Sequence, residues 1–206
     1  MTKLEIPRKT IYRLSIYQRC LQRLRENNLE TVSSEALAKA AGVKSTQLRK
    51  DLTYFGHFGT RGLGYNVTGL SGAISEVLGR SRLQPVILIG VGNLGAALLR
   101  YGGFQKEGFE IVACFDVKPD PKRLKGVKTP LLDAKIMSDY IKEHHIKMVI
   151  LTVPAQHAQE VANEIIPAGI QAILNFSPVF LEVPKSVIVN SVDLAVELEN
   201  LSYFIH

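Results

Sequence analysis

The stretch VILIGVGNLGAALL, residues 86–99, decides how this chain is read. Four aliphatic residues run into a glycine, two more glycines follow at 92 and 95, and an aliphatic run continues without a break. With Pro85 before it, the first run predicts a short buried strand, and the second predicts a helix. The loop between them has the spacing G-x-G-x-x-G, and each glycine has its own role. Gly90 permits the tight turn, Gly92 lets backbone approach a pyrophosphate, and Gly95 lets the helix pack close to the strand. With Val91, Asn93 and Leu94, these residues offer unpaired amides and the positive end of a helix dipole to phosphate. Downstream, FEIVACFD (109–116) predicts a second strand ending in an acid, 21 residues past Gly95. Asp116, followed by Val117 and Lys118, is placed to accept from adenosine-ribose hydroxyls and to repel a 2′-phosphate. That favours NAD(H), as NADH or NAD+, over NADP(H), a preference softened by Lys118, Lys122 and Arg123. The competing readings are a loop that binds nothing and one that takes another adenine nucleotide such as coenzyme A.

The alternation continues towards the C-terminus. LLDAKIMSDYIKEHHI (131–146) predicts a helix, KMVILTV (147–153) a strand, PAQHAQEVANEIIPAG (154–169) a helix and IQAILNF (170–176) a strand. Alternating strands and helices imply a parallel, doubly wound sheet with right-handed crossovers. Ligands sit beyond the carboxyl ends of such strands. This adds Thr152, Val153 and Pro154, then Asn175, Phe176, Ser177 and Pro178, to the expected cofactor-binding set. The last segment, SVIVNSVDLAVELENLSYFIH (186–206), predicts a β-like run and a terminal helix with an apolar stripe of Leu194, Leu198, Leu201 and Phe204. Such a stripe suits a partner chain, the alternative being packing against its own domain.

Upstream of the loop the chemistry changes. Residues 1–82 hold 14 Lys and Arg against 6 Asp and Glu, a net of +8; residues 83–206 hold 11 against 13, a net of −2. Positive charge confined to one end is the footprint of a polyanion-binding module. In YRLSIYQRCLQRLREN (12–27), Leu14, Tyr17, Leu21 and Leu24 recur at helical spacing. TVSSEALAKAAGVKSTQLRKDLTYFG (31–56) then reads as a helix-turn-helix: a cap at Ser33 or Ser34, a short helix, a stop at Gly42, and a helix capped by Ser45 or Thr46. On that helix Leu48, Leu52 and Phe55 are expected inward and Gln47, Lys50 and Tyr54 outward, with Arg49 flanking the buried stripe. Gln, Arg and Lys are the side chains that read base edges or hold phosphate in a major groove. GHFGTRGLGYNV (56–67) predicts a β-hairpin, the wing of a winged helix, with Arg61 and Gly62 at its tip and Arg61 suited to a minor groove. TGLSGAISEVLGRSRL (68–83) reads as a linker helix ending at Gly79.

The candidates for catalysis and metal binding are few. His157 is the one side chain placed to transfer a proton near the expected site, and it falls in a helix's first turn, where a surface role is commoner. No catalytic set is expected, and the Cys and His residues lack metal-ligand spacing. Cys20 and Cys114 read as buried, reduced thiols. No run reaches the roughly 18 apolar residues of a membrane helix, and the N-terminus shows no secretory core, so a cytoplasmic protein is expected. The domains read as a winged helix over 1–80, a dinucleotide-binding domain over 84–186 and a C-terminal strand and helix over 187–206.

The motifs LRKDLTYFGHFGTRGLGY (48–65), IGVGNLG (89–95), ILTVPA (150–155), ILNFSPVFLEVP (173–184) and VDLAVELENLSYF (192–204) together resemble the Rex family of redox-sensing transcriptional repressors, over essentially the whole length. The resemblance implies a homodimer that binds two-fold-symmetric operator DNA and exchanges its C-terminal helices. It also implies a coupling set of Arg19, Tyr101 and Asp193, with Leu194 near the partner's cofactor. A repressor released from DNA by NADH is therefore the expected function, and an enzyme is not. The alternatives are an NAD-dependent oxidoreductase with an accessory basic domain and a constitutive DNA-binding protein that uses its nucleotide structurally.

Overall fold

Leu14, Tyr17 and Leu21 lie on one stripe of helix α1 (Arg8–Glu26), and all three are fully buried. The computed structural model describes residues 6–56, 58–60, 63–80 and 82–205, and the chain falls into two units, residues 1–82 and 83–206.

In the first unit α1 leads to strand β1 (Thr31–Val32), helix α2 (Ser34–Ala40), helix α3 (Ser45–Leu52), strands β2 (Gly59–Thr60) and β3 (Gly64–Asn66), and helix α4 (Val67–Val77). Ser33 caps α2, its hydroxyl accepting from Ala36 N at 3.0 Å, and Gly42 ends that segment at φ 68°. β3 pairs antiparallel with β1 on one side and β2 on the other, the sheet and hairpin of a winged helix. Gly64 is required there: its φ is 81°, and a β-carbon would collide with the Val32 carbonyl. Leu37, Leu48, Leu70 and Ile74 close the core around α1. The segment expected to be a linker helix is therefore structural. α4 buries Val67, Leu70, Ser71 and Ile74, and the Gln18 amide of α1 bonds the hydroxyls of Ser71 (3.0 Å) and Ser75 (2.8 Å).

Among the described residues of this unit one carboxylate is buried. Asp51 is 1% exposed and meets donors from two helices. Arg13 grips it with Nε to Oδ2 at 2.6 Å and Nη2 to Oδ1 at 2.7 Å, and the Tyr17 hydroxyl donates to Oδ2 at 2.8 Å. Thr10 donates to Oδ1 at 3.3 Å and Gln47 Nε2 to the same oxygen at 2.9 Å. Burial pushes the Asp51 carboxyl up, but the hydrogen bonds from Arg13, Tyr17 and Gln47 outweigh it and hold the group below its ordinary range.

The second unit is a six-stranded parallel sheet in the order β6-β5-β4-β7-β8-β9. Its elements are β4 (Gln84–Ile89), α5 (Asn93–Arg100), α6 (Gly103–Lys106), β5 (Phe109–Asp116), β6 (Leu131–Asp133), α7 (Met137–Glu143), β7 (Met148–Leu151), α8 (Ala155–Ala168), β8 (Ala172–Asn175), β9 (Ile188–Ser191) and α9 (Leu194–Tyr203). Ile87 and Ile89 enter one core layer with α7 and α8, while Val86 and Leu88 enter the other with Ala96 of α5. Both faces are covered, so the strand reads as an unbroken aliphatic run.

Several local expectations change. Leu131–Asp133 is an edge strand paired with β5, and the helix expected there begins only at Met137. Ile188–Ser191 pairs in parallel with β8, so it completes this sheet and leaves α9 alone as the terminal segment. α5 ends at Arg100, and Gly102-Gly103 opens the short α6. α3 begins at Ser45 after Lys44, with no side-chain cap from Ser45 or Thr46.

Because folding depresses the Asp51 carboxyl, its network stabilises the first unit above the unfolded value of about 3.9. That contribution is lost as pH falls through the lower folded value. Hydrogen exchange at the amides of α1 and α3 should therefore show weaker protection at acid pH than at pH 7. The loss should be smaller in Asp51→Asn, whose amide does not titrate. Equal acid losses in both proteins would assign the effect to other carboxylates.

Candidate functional site

The glycine loop is built by close backbone contacts at the carboxyl ends of β4 and β7. Gly90 has φ 95°, and a β-carbon there would lie 2.8 Å from the Thr152 carbonyl. A β-carbon on Gly95 would collide with the Gly90 oxygen and reach Thr152 Oγ1 at 3.0 Å. Thr152 Oγ1 donates to Gly90 O at 2.7 Å, tying the two strand ends together. Gly92 differs from both: its φ is −76°, and a β-carbon would meet nothing within 4 Å. Two glycines are thus explained by packing, and the third, which lines a cavity, has open space around it. Gly92 is the N-cap of α5 and, having no side chain, leaves the first-turn amides uncapped.

Asp116 at the end of β5 steadies this loop. Its Oδ2 accepts from Val91 N at 2.7 Å and its Oδ1 from Lys118 N at 2.8 Å. Each oxygen keeps a lone pair for a further donor. Gly90–Leu94, Asp116–Lys118 and Thr152–Pro154 line one cavity of about 880 Å³, within the usual size for a small-molecule site. Gly95 lies buried beneath the loop.

Asn175–Pro178 do not line that cavity. Asn175 is fully buried and its amide builds the loop after β8: Oδ1 accepts from Ser177 N at 2.9 Å, and Nδ2 donates to Ser177 O at 3.1 Å and Val179 O at 2.9 Å. Ser177 Oγ donates to Val153 O at 2.7 Å, so this loop braces the cavity wall from behind. The wall that sequence reasoning missed comes from Met137 of α7 and Val161, Glu160 and Glu164 of α8. The positions of α7 and α8 follow from strand order, which no local motif encodes. His157 lines the cavity too, but it is exposed, and its Nδ1 lies 4.0 Å from exposed Glu160, a surface contact.

On α3 the exposed residues are Thr46, Arg49 and Lys50, with Thr53 at the helix C-cap, spaced i, i+3, i+4 and i+7. Ser45 and Tyr54 are half-buried. Gln47, expected on the outward face, turns to Asp51 instead. Arg49 also bonds Ser34 Oγ at 3.3 Å and Ser45 Oγ at 3.4 Å. Arg61 and Gly62 lie outside the described residues.

Of the coupling set, Arg19 is exposed on α1, and Tyr101 is 60% exposed with its ring edge-on to Phe104. Asp193 caps α9, Oδ1 accepting from Ala195 N at 2.9 Å. α9 buries no residue, and Leu194 is 61% exposed. Cys20 and Cys114 are both buried and free of any disulfide, and burial pushes the Cys114 thiol up to about 11, helped by Asp116, and also raises Cys20. Among the described residues no cluster of His, Cys, Asp and Glu could hold a metal, and no helix is long and apolar enough to cross a membrane.

A winged helix followed by a nucleotide-type doubly wound domain defines a class: a DNA-binding module joined to a small-molecule-binding one. Comparison with known proteins places the chain within it. Residues 5–53 match the family described as "Putative DNA-binding protein N-terminus", and residues 81–179 match the CoA binding domain family. The redox-sensing transcriptional repressor Rex of Pelotomaculum thermopropionicum is 46% identical over 203 residues, 98% of this chain and 95% of that protein. The Streptomyces coelicolor repressor of the same name is 42% identical, covering 96% of this chain and 77% of its own. Crystal structures of RSP, a Rex-family repressor, superpose with TM-score 0.88 (with β-NAD+ and operator DNA, 37% identity) and 0.85 (with β-NADH, 36%). Each covers 98% of this chain, and the chain covers 94% and 95% of them. The chain belongs to the Rex family of redox-sensing transcriptional repressors.

The glycines separate folding from binding. Gly95→Ala, which needs backbone to move, should lower the melting temperature of the second unit. Gly92→Ala should change stability by no more than about 0.5 kcal/mol yet weaken binding of ADP-ribose at least tenfold by calorimetry. Undiminished ADP-ribose binding by Gly92→Ala would remove the loop from the ligand site.

Proposed function

We propose that this chain is a cytoplasmic repressor that binds two-fold-symmetric operator DNA as a homodimer and leaves it when NADH binds. The observation that supports this most directly is the pairing, on one chain, of a cation-bearing recognition helix with a glycine cradle open at Gly92. The likeness over nearly the full length to RSP, solved with β-NAD+ and operator DNA and with β-NADH, agrees with it.

In this reading Thr46, Arg49, Lys50 and Thr53 face the major groove, and Ser45 and Tyr54 flank them. Arg61 and Gly62 carry the wing tip. Gln47 supports the helix from within. Gly90–Gly95 hold the pyrophosphate through amides, and Asp116 accepts from the adenosine ribose, its place beside the loop fixed by Val91 and Lys118. Thr152–Pro154 form the opposing wall. Asn175–Pro178 shape that wall through Ser177 and Val153, a role behind the ligand. The match to a CoA binding domain covers the same loop, but a ribose-facing carboxylate disfavours the extra ribose phosphate of coenzyme A as it does that of NADPH.

The two redox forms of the cofactor differ in charge, the oxidised nicotinamide being cationic and the reduced ring neutral. An apolar surrounding distinguishes them because it disfavours an unpaired charge. Pro154 and, from a second copy, Leu194 supply such a surrounding. The ten-residue α9 buries nothing against its own chain, and a helix that short is marginal alone. A second copy is the occupant we assign to it, with Asp193, Tyr101 and Arg19 as the residues through which cofactor state alters DNA affinity. Shifting such a dimer from 1:99 to 99:1 takes about 5.5 kcal/mol of differential binding, shared by two sites.

Fluorescence anisotropy on a two-fold-symmetric duplex tests the reading. NADH should weaken DNA binding tenfold or more, and NAD+, NADPH and coenzyme A at the same concentration should not. DNA affinity indifferent to NADH would overturn it. Lys50→Ala should weaken DNA binding and, if the contact is to phosphate, lower the salt slope by about one.

A further inference from the structure

α3 is eight residues long and buries Leu48 and Leu52, one turn apart. Two leucines keep the helix against the core, but apolar burial has no preferred direction and leaves its roll loosely set. Roll is what a recognition helix must hold. A shift of one residue turns the exposed face through about 100°, replacing Thr46, Arg49, Lys50 and Thr53 by other side chains.

The exposed Arg49 reaches Ser34 of α2 at 3.3 Å, and the buried directional contact is at Asp51. The Arg13 fork takes both carboxylate oxygens, at 2.6 and 2.7 Å, which fixes the plane of the group as well as its place. Thr10 and Tyr17 sit three residues before Arg13 and four after it on the same face of α1, and each donates to one of those oxygens. From α3 itself, Gln47 donates to Oδ1 at 2.9 Å, which turns its amide away from the exposed face. We propose that Asp51 is a positioning residue for DNA recognition, locking the roll of α3 against α1 so that Thr46, Arg49, Lys50 and Thr53 form the reading face and Gln47 does not. This rests on the reading of α3 as the DNA-contacting helix. A buried carboxylate is a poor way to gain stability, since well-packed apolar side chains commonly do as well. A directional requirement accounts for its presence here.

The test separates position from stability. The full-length protein first selects a two-fold-symmetric duplex from a randomised pool. Anisotropy at one salt concentration then compares that duplex with a scrambled one of equal length and composition, and melting is recorded in parallel. Asp51→Asn keeps the size and loses the charge, while Gln47→Ala removes only the arm from α3. Asp51→Asn should narrow the selected-to-scrambled affinity ratio about tenfold, with affinity for the scrambled duplex changed less than about threefold, because phosphate contacts tolerate roll. Gln47→Ala should narrow the ratio less. A folded Asp51→Asn with an unchanged ratio, whether or not its melting temperature falls, overturns the proposal. If Asp51→Asn does not fold, an unchanged ratio in Gln47→Ala overturns it. Failure of the unmodified protein to select any duplex would instead remove the DNA-binding reading of α3.

Discussion

The carbonyl oxygen of Gly90 occupies the place a β-carbon on Gly95 would need. That one approach brings the start of α5 down onto the end of β4, and Thr152 Oγ1, bonded to the same oxygen at 2.7 Å, draws in the end of β7. Strand order reverses between β4 and β7, so the crevice at their carboxyl ends is where a doubly wound sheet opens. Asp116 then closes the loop from the third side through Val91 N. The glycine-loop side of the cavity is therefore framed by backbone and two short polar side chains, Thr152 and Asp116, each fixed by its own hydrogen bonds. Such preorganisation reduces the ordering that binding must impose.

The first unit solves a different problem by a different device. In the proposed function it presents a short helix in one orientation, and a small apolar core is poorly suited to that. Asp51 supplies direction where Leu48 and Leu52 supply only adhesion. The Arg13 guanidinium, raised well above its usual range chiefly by its hydrogen bond to Asp51, stays charged throughout, so the contact persists at any pH where the carboxylate is ionised. The same atoms explain why this unit carries a buried charge while the sheet of the second unit is covered on both faces by apolar side chains.

The elements whose cause is local were legible in the sequence. Alternation and terminal residues give β4, β5, β7 and β8, and Ser33 with Gly42 gives α2. The glycine loop was readable because its spacing encodes contacts between near neighbours. Leu131–Asp133 was not, since three residues carry no period of their own and become a strand only by pairing with β5. Gln47 misled for a related reason. Helical spacing places it beside Lys50, but its hydrogen bond goes to Asp51, whose burial depends on Arg13, 38 residues away. Asn175 looked like a ligand-binding residue at a strand end, and its burial shows that a polar group there can be consumed by the loop's own turn. The α7 and α8 wall was invisible because it depends on topology alone.

A glycine fingerprint states how a nucleotide is held, and it leaves open what the holding is for. Turnover requires a group beside the reacting carbon whose proton affinity and orientation are fixed. His157, the candidate singled out in the sequence, stands exposed in the first turn of α8 with surface neighbours. Signalling requires only that two forms of a ligand bind with different free energies and that one of two arrangements be favoured. The chain supplies parts suited to signalling. It has a preformed cradle in one unit, an oriented cationic helix in the other, and an unpartnered apolar helix at its end. Removing the buried hydrogen-bonded contact at Asp51 would leave the cradle and the cations of α3 in place. It would still blunt the output, because charge brings a protein to DNA and orientation decides which sequence it holds.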